Sequence, residues 1–73
     1  MSPAEQARAM LARCGVLRKR LQEQRGSVVG IACKSGLFAV TESTRIGRKE
    51  RTEQLTAWQS YADCLAHMER MIG

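Results

Sequence analysis

Cys64 and His67 lie three residues apart in a segment that reads as helix, which puts them on neighbouring turns. With Cys14 and Cys33 they would make the three-cysteine, one-histidine donor set of a structural zinc site. The spacing argues against it. Zinc ligands usually come in close pairs on turns, whereas Cys14 and Cys33 stand singly at core-facing positions and His67 falls on a polar helix side. Ordinary reduced thiols are therefore expected, with no metal and no cofactor. Nucleophilic catalysis needs a cysteine or serine with a base and an orienting group. One histidine on a solvent face leaves few such arrangements, and the chain carries no glycine-rich phosphate loop, paired carboxylates or hydrolase elbow. An enzyme is not expected.

Positive charge is the stronger chemical signal. Lysine and arginine total 12 against 7 acidic residues, a formal charge of +5. One group sits on the first helical segment, Arg18, Lys19 and Arg20 with Arg13 and Arg25 near them. The other, Arg45, Arg48, Lys49 and Arg51, falls in the stretch before the second helical segment. Cations so grouped suit phosphate contacts, and these seven residues without Arg13 and Arg25 are the candidate nucleic-acid surface. The plain alternative is a solvated, solubilising exterior, because helical angles scatter the first group around its helix. No stacking platform accompanies the charge: Phe38, Trp58 and Tyr61 all fall on apolar stripes.

The elements that must position these residues begin with Ser27–Ser43, the one stretch that reads as strand. A two-residue turn at Ser35-Gly36 pairs Lys34 with Leu37, Cys33 with Phe38, Ala32 with Ala39, Ile31 with Val40 and Val29 with Glu42. Alternation puts Val29, Ile31, Cys33, Phe38 and Val40 on a core-forming face. The other face, Gly30, Ala32, Ala39 and Thr41, is small and leaves room for solvent or another backbone. Ahead of the hairpin, Ser2, Pro3 and Glu5 form a helix start signal. Ala7, Met10, Cys14, Leu17, Leu21 and Gln24 then recur at helical spacing, Leu11 widens the stripe, and Gly26 follows as a C-terminal stop. Gly15 interrupts the pattern and could mark a close crossing. After the hairpin Thr41–Gly47 is polar and fits either a second strand running on to Thr44 or a loop. Gly47 reads as the cap of a second helix from Arg48, with Thr52 as a later alternative start, whose apolar side carries Leu55, Trp58, Tyr61, Ala62, Leu65, Met68 and Ile72.

The expected fold is α+β, a single domain ordered helix (3–25), two-stranded antiparallel β-hairpin (27–43), helix (48–72). A hairpin alone is marginal in water, and 73 residues lie near the lower limit for a self-sufficient core, so homodimerisation is expected to complete it. The most apolar stretch, Val28–Val40, is too short to span a bilayer. The first ten residues lack the basic and apolar segments of a signal peptide, so the cytosol is the expected compartment. The element order and the turn at Lys34-Ser35-Gly36 resemble in topology the small head-to-tail joining proteins of tailed phages, although the helices are longer here and no sequence motif is shared.

Two functions are consistent with these features. One is a small non-enzymatic protein that contacts nucleic acid through its arginine and lysine clusters. The other is a protein-binding inhibitor, adaptor or assembly part of the phage or mobile-element type, acting through its hairpin face or helix surfaces.

Overall fold

The computed structural model describes residues 2–72. The mixed α+β class is as expected, with two helices and an antiparallel sheet, but the sheet has three strands instead of two. Helix α1 (Pro3–Arg25) is followed by β1 (Val28–Lys34), β2 (Leu37–Ile46), β3 (Lys49–Gln54) and helix α2 (Tyr61–Ile72), and the sheet order is β1-β2-β3.

Helix α1 starts and stops where its sequence directs. Ser2 is extended and its hydroxyl oxygen accepts a hydrogen bond from the Glu5 N–H at 3.2 Å, and Pro3 occupies the first turn. At the far end Gly26 takes the left-handed conformation, φ 72°, and its N–H donates to the Gln22 carbonyl.

The β1–β2 register is the expected one, from Lys34↔Leu37 through Val29↔Glu42. Both turn residues have positive φ, 50° at Ser35 and 78° at Gly36, the pattern of a type I′ turn whose twist suits a two-residue hairpin.

Beyond residue 43 the expectation fails. Strand β2 continues to Ile46, turns through Gly47 (φ 63°) and Arg48, and returns as β3, pairing Ser43 with Thr52, Thr44 with Arg51, Arg45 with Glu50 and Ile46 with Lys49. Gly47 is thus the first residue of a hairpin turn and not a helix cap. The second helix begins at Tyr61 instead of 48, so Leu55 and Trp58 are not helical. Every residue of β3 is exposed. A strand with both sides in water carries no alternation of apolar and polar residues, and KERTEQ shows none.

The core lies between the sheet and the helix pair. Cys14, Leu17 and Leu21 of α1 and Cys64, Leu65 and Met68 of α2 pack with Val29 and Val40, while Met10, Ile31, Phe38 and Tyr61 border them. Of the expected core face of the hairpin Val29 and Val40 are buried and Ile31 and Phe38 half-buried, but Cys33, next to the turn, is exposed and takes no part in the core. The small-residue face is partly covered: Ala39 is 0% exposed. Lys34 shares that face with Ala32 and Ala39 by register, and its ammonium lies 5.9 Å from the Trp58 ring centre, so the indole sits on that side too. No helix among the described residues is long and apolar enough to cross a membrane.

Leu21→Ala should cost about 3 kcal/mol in a urea melt, because Leu21 is fully buried and its loss leaves a cavity. Val16→Ala, at an exposed site, should change stability by less than about 0.5 kcal/mol.

Candidate nucleic-acid interface

The basic residues that the sequence placed in a linker stand on a two-stranded arm. Strand β1 accompanies β2 only as far as Ser43, so the segment from Thr44 to Arg51 has no third strand and projects as a ribbon. All of its residues are exposed, Ile46 at 67%. By register, Thr44, Ile46, Lys49 and Arg51 share one face, Arg45 and Glu50 share the other, and Arg48 occupies the turn. Four cations thus meet a single carboxylate, Glu50, over residues 45–51. Among the described residues the salt bridges are Arg13–Glu69 and Arg25–Glu42, and neither involves the arm.

What holds the arm is backbone pairing and a polar base. The Ser43 and Thr52 hydroxyls lie 3.0 Å apart across the ribbon. At its root Glu42 accepts two bonds from the Arg25 guanidinium, at 2.6 and 3.2 Å, and one from the Ser27 hydroxyl at 2.5 Å. These charge-assisted bonds clamp the end of α1 and the start of β1 to the arm. They also hold the Glu42 carboxyl below its ordinary range, chiefly through Arg25 and then Ser27, and hold the Arg25 guanidinium more firmly protonated.

The first basic group divides. Arg18 turns inward, its Nε donating to the Val29 carbonyl at 3.1 Å. Because β1 is an edge strand, this contact occupies an outward-facing carbonyl and guards the edge. Lys19 and Arg20 are exposed on α1. The seven candidate residues therefore do not form one surface: Arg45, Arg48, Lys49 and Arg51 come together, Lys19 and Arg20 stay on a separate element, and Arg18 serves the sheet.

The cysteines and the histidine are likewise kept apart. Cys14 and Cys64 are buried in the helix pair, Cys33 is exposed, and all three are free thiols. Among the described residues no three histidine, cysteine or acidic side chains gather as metal donors. Burial pushes the Cys64 thiol up, which disfavours the thiolate. Tyr61 is pushed up to about 12 by burial and by its hydrogen bond with Cys14, and its ring meets Phe38 edge-on at 5.2 Å.

The start of α2 had a legible signal that the sequence reading passed over. The Ser60 hydroxyl accepts from the Asp63 N–H at 3.1 Å, and Ser60-x-x-Asp63 is the pattern of a helix N-terminus. Between β3 and that cap the chain still follows the outer edge of β2. Leu55 N–H donates to the Val40 carbonyl, and Phe38 and Gln59 exchange a pair of backbone bonds at 2.7 Å.

Comparison with protein families, with curated proteins and with solved structures finds no match for this chain.

Glu42→Gln should lower stability by about 1 kcal/mol at neutral pH, by weakening the clamp to Arg25 and Ser27. The sign follows from the lowered carboxyl. The contribution is complete above the usual carboxylate range and is lost as pH falls through the depressed value. Urea melts at about pH 7 and about pH 3 should therefore show wild type and variant differing at the first and converging toward the second.

Proposed function

We propose that the chain is a small non-enzymatic nucleic-acid-binding protein that works as a homodimer in the cytosol and grips phosphates with the β2–β3 arm. The observation that carries this reading is the ribbon of residues 44–51, which presents Arg45, Arg48, Lys49 and Arg51 to solvent with no salt bridge on any of them among the described residues. A two-stranded ribbon matches the width of a duplex major groove, and cations on both its faces and its tip would lie against the flanking phosphates. Lys19 and Arg20 would add to long-range attraction without sharing the contact. The arm has few groups arranged to read base edges, so affinity without strong sequence preference follows.

The test is a fluorescence-anisotropy titration against labelled duplex DNA, single-stranded DNA and RNA over a range of salt. Log affinity should fall linearly with log salt, with a slope of about −3 per protomer if three or four phosphates are neutralised. Reversing charge with Arg48→Glu and Lys49→Glu together should weaken binding by at least about tenfold and flatten that slope. Lys19→Glu should act mildly, and Arg18→Ala should act on stability before it acts on affinity. No binding at low salt would overturn the reading. The alternative, a protein-binding inhibitor, adaptor or assembly part, would then stand, with the apolar groove beside Leu11 in its favour.

A further inference from the structure

Helix α1 overhangs the body that it packs on. Pro3 to Ala9 are exposed at every position, and the first half-buried residue is Met10. A helix of 23 residues spans roughly 34 Å, whereas α2 with 12 spans about 18 Å. The apolar stripe of α1 continues toward the overhang through Met10, which borders the core, to Ala7, which is exposed at the rim of a groove shared with Phe38 and Tyr61. Leu11, at 64% exposed, rims an open groove of about 340 Å³ whose lining of Ala7, Met10, Leu11, Phe38 and Tyr61 contains no charge. An adjoining hollow of about 250 Å³ runs past Gly15 to Ile31 and Cys33. A Cβ on Gly15 would meet nothing within 4 Å, so that glycine serves no close crossing inside the protomer.

We propose that this groove is the contact face of a symmetric homodimer in which the α1 overhang of each chain lies in the groove of the other. The proposal rests on the dimeric part of the function above and gives it a surface. Three features favour a second copy as the occupant. The chain exposes 5360 Å², whereas a compact monomer of 8.1 kDa would expose about 4,500 Å². The excess, roughly 900 Å², is shared between the β2–β3 arm and the α1 overhang, and the overhang's share is surface that a second copy could cover. Second, projection and groove lie side by side on one chain, so a single two-fold axis near Leu11 satisfies both at once. Third, the groove opens directly onto the core through Phe38 and Tyr61, so the pairing would extend a core that is small for an independent domain. The cationic arm lies at the other end of β2 from Phe38, so its four charges are held away from the contact, and Arg8 on the overhang and Arg18 beside the adjoining hollow are the cations that the pairing has to leave in solvent.

Sedimentation velocity across low to several hundred micromolar protein should give a wild-type dimer. Leu11→Glu should weaken it by on the order of 100-fold or more, because the residue occurs twice at the centre of the contact. Val16→Glu, at a 60% exposed site about 140° round the helix, should leave it intact. Far-UV circular dichroism should be unchanged in both, and Ala7→Glu offers a second exposed position should Leu11→Glu disturb folding. A wild type that stays monomeric throughout would overturn the proposal and leave the groove to a different partner. Folded Leu11→Glu or Ala7→Glu that dimerises like wild type would overturn this surface. The arm variant Arg48→Glu/Lys49→Glu should lose nucleic acid and still dimerise, so failure of the nucleic-acid reading and failure of this contact give different results.

Discussion

Strand β2 must satisfy hydrogen-bonding groups along both of its edges, and the rest of the chain is arranged around that requirement. It is longer than either neighbour: β1 pairs with Leu37–Ser43 and β3 with Thr41–Ile46. The edge left open beside Phe38 and Val40 is filled by Leu55–Gln59, through backbone bonds and through the Thr56 hydroxyl, which accepts from the Val40 N–H at 3.1 Å. That detour returns the chain to the core side at Ser60, where α2 begins. It also carries Trp58 across the small-residue face, where Ala32 and Ala39 leave space that a larger pair would fill.

The sequence made the first half of this arrangement legible because burial and turn geometry act together there. Val29, Ile31 and Val40 must face the core, a one-residue slip would expose all of them, and Ser35-Gly36 permits the positive φ that a tight turn demands. The same holds for α1, where Ser2, Pro3 and Gly26 mark both ends. The second half lacked both constraints. From Thr44 to Gln54 neither strand face is buried, so cross-strand pairs such as Arg45↔Glu50 and the backbone ladder set the structure, and these leave little trace in one chain's hydropathy. Leu55 and Trp58 happened to fall at helical spacing with Tyr61, which lengthened the expected helix. Ser60-x-x-Asp63 was the local feature that contradicted it.

The same reversal decides how the charges are to be understood. On a helix Arg45, Arg48 and Lys49 would share one face at i, i+3 and i+4, with Arg51 at its flank. On the ribbon Arg48 and Lys49 stand at and beside the turn, with Arg45 and Arg51 behind them on opposite faces and Ile46 exposed among them, an arrangement that solubility alone does not require. Charged residues on an edge strand do have a structural use, since they discourage strand-to-strand association, and β3 with Lys49, Glu50, Arg51 and Glu53 fits that use. Edge protection accounts for mixed charge along the strand. It accounts less well for a cationic excess concentrated at the tip, where no further strand could be added.

Sheet-edge recognition loses ground by the same reasoning. A partner strand adding to β1 would need its outward carbonyls, and Arg18 already occupies that of Val29. Adding to β3 would lay a second chain along four charged side chains. The small-residue face, the other surface on which a partner backbone could have settled, is shared with Trp58. What remains open is a cationic arm at one end and an apolar groove at the other, two surfaces of opposite chemistry separated by most of the length of β2 in a molecule 45 Å long. A charged polymer and a second apolar surface can each be met without competing for the same side chains. If the chain pairs through the groove as proposed, that separation would leave both arms pointing outward and unobstructed.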